Sequence, residues 1–93
     1  MNFSKDSAVQ RAKADLTKRL NISESEIKIV SVNETDFPDM SLGAPEKDEM
    51  SAQMISSGWR INLNAKGKNH EYRADKYQLR LCGFGGTNYV IKS

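Results

Sequence analysis

The stretch that decides the fold is Trp59-Arg60-Ile61-Asn62-Leu63-Asn64-Ala65-Lys66-Gly67-Lys68-Asn69-His70-Glu71-Tyr72-Arg73-Ala74-Asp75. Trp59, Ile61, Leu63 and Ala65 alternate with Arg60, Asn62 and Asn64, the period of a strand with one buried face. A two-residue turn at Lys66-Gly67 sets Ala65 against Lys68, Leu63 against His70, Ile61 against Tyr72 and Trp59 against Ala74. The large apolar side chains then share one face, and Arg60, Asn62, Glu71 and Arg73 share the other. Slipping the pairing by one residue would scatter both sets, so the register supports itself.

A second two-residue turn, at Lys76-Tyr77, extends the meander and brings Leu79 opposite Ala74 and Leu81 opposite Tyr72. Residues 7–20, SAVQRAKADLTKRL, supply the cover for this apolar face. Val9, Ala12, Leu16 and Leu20 recur at helical spacing, and Ser7 with Gln10 has the form of a capping box. Lys18 and Arg19 suit the negative end of the helix, and Asn21 suits a left-handed cap. Residues 27–34 read as a strand whose broken alternation calls for a bulge near Ile29 or burial on both faces. The expected organisation is a single α+β domain over 1–93, one helix on an antiparallel sheet of about four strands. Those strands are expected at 27–34, 52–65, 68–75 and 78–82, with a bend at Ser57-Gly58 and a loop over 36–50. The tail, 83–93, is an edge strand or a frayed end.

Composition excludes several functions. Fourteen basic against 12 acidic residues, interspersed, give a net charge of +2, which is no nucleic-acid footprint. No apolar run approaches a membrane span. The single cysteine, Cys82, excludes an internal disulfide and any multi-cysteine zinc site, so no metal and no cofactor is expected. MNFSKDS lacks the apolar core of a signal peptide: either the protein stays inside the cell or a leader lies outside this chain.

Two resemblances follow. Ala8, Ala12, Leu16 and Leu20, then Ile27-Lys28-Ile29-Val30, then Gly58-Trp59-Arg60-Ile61 through His70-Glu71-Tyr72-Arg73-Ala74-Asp75 resemble PepSY-like domains in order and type. That resemblance implies one helix on an antiparallel sheet and a role in regulating a peptidase. Over most of residues 8 to 82 the chain also resembles small bacterial domains of unknown function, often found in exported proteins. Their pattern runs Trp-Pro-Asp-x-Ser-Leu-Gly-Cys-Pro, then an Ala-Gln strand, a Gly-aromatic-Arg-Ile strand and a Tyr-Glu-Tyr-like strand ending near a Cys. Phe37-Pro38-Asp39, Ser41-Leu42-Gly43, Pro45, Ala52-Gln53, Gly58-Trp59-Arg60-Ile61 and Glu71-Tyr72-Arg73 fit it. Phe37 replaces the Trp, and Ala44 replaces the Cys, so Cys82 lacks the partner the resemblance implies. A lone thiol fits a reducing compartment better than an oxidising one.

The loop string DFPDMSLGAP, 36–45, has two readings. As a structural plug, Phe37 and Leu42 fold over an open end of the core while the prolines stiffen the path. As a recognition loop, 36–48 presents Asp36, Phe37, Asp39, Ser41 and Leu42 to a protein or peptide, its rigidity lowering the entropy cost of binding. Asp36 and Asp39 lack a visible nucleophile or base to act with, and His70 falls on the core face, away from Glu71. Trp59 leads the inner face and reads as core, and Gly83-Phe84-Gly85-Gly86 lacks the ending of a phosphate loop. The expected function is therefore a non-enzymatic, monomeric binding module. The alternative places a nucleic-acid or acidic-ligand surface on Arg60, Arg73 and Arg80, aligned across three strands of the outer face.

Overall fold

The computed structural model describes residues 2–91. Along the chain come α1 (Lys5–Leu20), a single 3-10 turn (Glu24–Glu26), β1 (Lys28–Phe37), β2 (Ser56–Ala65), β3 (Lys68–Asp75), β4 (Leu79–Phe84) and β5 (Thr87–Val90). The strands pair antiparallel in the order β1-β2-β3-β4-β5, an uninterrupted meander one strand wider than the expected four. The β2–β3 register is the one alternation requires, Ala65 facing Lys68, Leu63 His70, Ile61 Tyr72 and Trp59 Ala74. Lys66 and Gly67 turn with φ of 53° and 76°, the doubly left-handed geometry that matches strand twist. The β3–β4 register also holds, with Ala74 facing Leu79 and Tyr72 facing Leu81.

One face of this sheet is closed by α1. Ala8, Val9, Ala12 and Leu16 are buried against Ile61, Leu63, Tyr72, Ala74, Leu79 and Leu81. Each large side chain so buried stabilises the fold by roughly 1.5–3 kcal/mol. The helix begins earlier than Ser7: Ser4 is the cap, its Oγ accepting from the Ser7 amide at 3.1 Å while Ser7 Oγ accepts from the Ser4 amide at 2.8 Å. Ser7 is the second half of the box rather than the first, because a serine at the third helical position can reach back as Glu or Gln would. Asn21 ends the helix in the left-handed region, φ 54° and ψ 51°. A polar tether joins the layers. Tyr72 is fully buried, and its hydroxyl donates to Asp15 Oδ2 at 2.8 Å, the oxygen that also accepts from Arg19 Nε at 2.7 Å.

Two expectations about the other strands need correction. β1 runs on to Phe37 instead of ending at residue 34. Its bulge falls between Ile29 and Ser31, where the broken alternation called for one, and leaves Ile29 and Val30 about half exposed. β2 starts only at Ser56 and passes straight through Ser57-Gly58 without bending; residues 50–55 pair with no strand. Gly58 is required by a close approach, since a Cβ there would stand 1.9 Å from the Ala74 carbonyl oxygen. The tail forms the edge strand β5 after a Gly85-Gly86 turn, and Lys92 and Ser93 lie outside the described residues.

The tether makes a measurable statement about the two layers. Asp15→Ala strands the buried Tyr72 hydroxyl and is expected to cost about 1–3 kcal/mol in urea unfolding. In a Tyr72→Phe background the same substitution should cost at least about 0.5 kcal/mol less. Equal costs in both backgrounds would show that the hydroxyl–carboxylate bond carries no coupling.

Candidate functional site

Between β1 and β2 the loop is organised from its own sequence. Asp39 Oδ1 accepts three hydrogen bonds, from the Ser41 amide at 2.9 Å, the Ser41 hydroxyl at 2.6 Å and the Gly43 amide at 3.1 Å. These bonds, the Ser41 hydroxyl first, hold the Asp39 carboxyl below its ordinary range. Leu42 and Gly43 follow in the left-handed region at φ 59° and 66°. For Leu42 that conformation costs roughly 1–2 kcal/mol, which a fully buried side chain offsets.

The loop then crosses the outer face of the sheet and is held there by side chains of β3, the β3–β4 turn, β4 and β5. Gln78 Nε2 donates to the Met40 carbonyl at 2.6 Å, and Arg73 Nη1 to the Leu42 carbonyl at 2.9 Å. Arg80 Nη1 donates to the Ala44 carbonyl at 3.2 Å, and Asn88 Nδ2 to the Pro45 carbonyl at 2.9 Å. Arg80 also clasps Glu49 in a two-bond fork, 2.6 and 2.7 Å. Glu46 Oε2 takes the Val90 amide of β5 at 3.1 Å, covering a donor of that edge strand. Phe37, Ser41, Leu42 and Ala44 are all buried, yet none belongs to the helix-side core. They form a small second core under the loop, with the Arg73 guanidinium 5.8 Å from the Phe37 ring centroid.

This placement revises both expected sites. Of the loop residues, Phe37, Ser41 and Leu42 face the sheet and offer no contact surface. Asp39 spends Oδ1 on the loop itself, and Asp36, exposed, accepts from the Ser57 hydroxyl at 2.6 Å. Arg60, Arg73 and Arg80 do align across the strands, Arg60 facing Arg73 and Arg73 facing Arg80. They are not a free basic face, however. Arg80 is buried on Glu49, and Arg73 Nε donates to Glu71 Oε2 at 2.6 Å. Arg60 Nε stands 3.3 Å from that same oxygen, within ion-pair distance but making no hydrogen bond there. Two of the three arginines read as a binding surface in the sequence, Arg73 and Arg80, are anchors of the loop.

The remaining reactive side chains are quiet. The Cys82 thiol is half-buried on the outer face and pushed up to about 11 by burial, so it is protonated at neutral pH. His70 is held below its ordinary value, chiefly by burial, and lies 6.0 Å from the Phe84 ring. Among the described residues no three His, Cys, Asp or Glu side chains converge as a metal site requires, and no helix is long and apolar enough to cross a membrane.

Sequence reasoning missed a surface. Met54, Ile55 and Tyr77 are each well over half exposed, and with Met40, Ser56, Ser57, Asp75 and Lys76 they line a shallow depression of about 280 Å³. Its signal was in the sequence: Met50, Met54 and Ile55 lack the alternation of a strand. Comparison with protein families finds one whose pattern spans residues 9–82, from α1 through the loop to Cys82 in β4, described as a domain of unknown function. The chain belongs to the DUF8738 family. No curated protein and no solved structure matched it. The matched span contains the whole loop together with the anchors Arg73 and Arg80.

The Arg80 clasp holds Glu49 at about 2, down from an ordinary 4.5, first through the side-chain hydrogen bonds and then through the Glu46 amide. A depressed carboxylate stabilises the fold fully above its unfolded value and loses that contribution as pH falls toward its folded one. Glu49→Gln should therefore cost about 2–3 kcal/mol at pH 7, less than a wholly buried pair because Glu49 is partly exposed. The gap between wild type and variant in urea midpoint should close as pH drops from 4.5 to about 2. A gap independent of pH would assign the loss to packing instead.

Proposed function

We propose that this domain is a non-enzymatic recognition module that docks an apolar segment of another protein where the loop meets the start of β2. The carrying observation is the depression built from Met40, Met54, Ile55 and Tyr77. Four large apolar side chains gathered at one end of a small domain, three of them exposed, mark an interaction surface rather than scattered surface residues. Two are methionines, whose unbranched chains adapt to differing partners.

The backbone beneath this surface is held rigidly, which lowers the entropy lost on binding. The Met40 amide donates to the Ala52 carbonyl at 3.0 Å, and Gln78 fixes the Met40 carbonyl. Asp75 Oδ1 accepts from the Tyr77 and Gln78 amides at 2.8 and 3.0 Å, setting the turn that presents Tyr77. The loop thus takes part through Met40 and as a brace, while its buried Phe37, Ser41 and Leu42 hold the platform in place. A protonated Cys82, an Asp39 whose Oδ1 is committed to the loop and a His70 at the far end of the β2–β3 hairpin support a binding role over catalysis. Regulation of a peptidase, the role the PepSY-like resemblance implies, is one form this recognition would take.

The test is affinity capture from the native lysate, followed by titration of the purified captured protein. Met54→Asp/Ile55→Asp is expected to weaken binding at least about tenfold with an unchanged melting temperature. Arg60→Ala should bind as wild type. Phe37→Ala should lower the melting temperature, a loss of about 3–5 kcal/mol for a buried aromatic side chain. A captured partner held equally by the Asp variant, or capture abolished by Arg60→Ala alone, would overturn the reading.

A further inference from the structure

At the opposite end of the β2–β3 hairpin lies a larger cleft, of about 520 Å³, that neither the loop nor the apolar depression touches. Leu20 at the end of α1, Ala65 and Phe84 form its apolar walls, and Lys66, Lys68, Asn69 and His70 its polar ones. No aspartate or glutamate lines it, and among the described residues neither Lys66 nor Lys68 forms an ion pair. Two uncompensated ammonium groups beside an apolar wall make a site of definite chemistry. Gly83 and Gly85 complete the wall, and open space surrounds the point where a side chain would sit on each. The negative end of α1 reaches this side, but Lys18 and Arg19 in its last turn offset it.

The aromatic wall is fixed in place. Phe84 lies 6.3 Å from Tyr89 in an edge-on arrangement, and Arg19 stacks 5.5 Å from the Phe84 centroid and 4.4 Å from that of Tyr89. His70, tilted 41° to Phe84, contributes a ring rather than a charge at neutral pH. From this geometry we infer that the cleft binds a small aromatic anion, its ring against Phe84 and His70 and its phosphate or carboxylate between Lys66 and Lys68. The volume lies within the range that takes a single small molecule.

The probe is phenyl phosphate, titrated into the isotopically labelled full chain and followed by amide and His70 ring resonances. Saturable shifts are expected at His70, Gly83 and Gly85, together with a rise in the His70 pKa as the anion settles beside it. Lys66→Asn/Lys68→Ala should weaken binding about fivefold, the loss expected for two exposed charge contacts. Asparagine is used at position 66 because it tolerates the left-handed turn. Benzoate should behave as phenyl phosphate does. Equal binding of inorganic phosphate would overturn the aromatic half of the inference, and equal binding of benzyl alcohol the anionic half. No saturable shift up to about 10 mM, or affinity unchanged in the double variant, would overturn it outright.

Discussion

Arg80 is the residue on which the architecture turns. A guanidinium almost wholly removed from water costs several kcal/mol unless its donors are matched. Here Nη1 and Nη2 fork onto Glu49, Nη1 also reaches the Ala44 carbonyl, and Nε meets Gln78 Oε1 at 2.8 Å. Gln78 in turn grips the Met40 carbonyl. The arginine therefore cannot be satisfied until the loop is in place, and the loop has no route across the sheet without it. Arg73 repeats the arrangement one strand away, with Glu71 as its carboxylate and Leu42 as its carbonyl. The result is a sheet covered on one face by a helix held mainly by apolar contact and, on the β3–β5 side of the other, by a loop held mainly by charge-assisted hydrogen bonds.

That difference explains what was legible in the sequence. Most of the helix side follows from periodicity: the stripe of α1, the alternation of β2 and β3, and the two tight turns whose registers were fixed by keeping apolar side chains together. The bulge near Ile29 was legible too, because it breaks an alternation. The loop side follows no period. Phe37 and Leu42 carry both the plug and the contact reading in the sequence, because apolar residues in a connection have no local partner. Their burial favours the plug, on partners more than thirty positions away, as the Arg73 bond to Leu42 shows. Arg60, Arg73 and Arg80 were correctly aligned by register, but register says which face a charge is on and not what covers that face. Glu49 was the missing clue, a carboxylate in a polar stretch that nothing local marks as the mate of Arg80.

The platform at the start of β2 was missed for a related reason. By sequence the strand starts at residue 52, yet pairing begins only at Ser56. Before that point the chain is tied by the Met40–Ala52 bond to the loop, so it follows the loop and not the sheet. Side chains on such a segment need not alternate, and Met54 and Ile55 both emerge into solvent.

These two covers have a consequence for where this domain can touch anything else. Of the two edges, β5 is partly sealed by Glu46 at Val90, and β1 is distorted by its bulge, a common protection against strand addition. Two of the surfaces that stay open lie at the two ends of the β2–β3 hairpin, and each carries a different chemistry. One end, at Ser56 and Asp75, is apolar and set by the loop and the Asp75-capped turn. The other, at Ala65 and Lys68, is cationic with an aromatic wall and is set by α1 and the glycine turn. They share the hairpin but no anchoring residue, so the loop clasp governs the first without touching the second. Selection on either end could then proceed without disturbing its counterpart, provided Arg80 and Tyr72 keep the two covers in place.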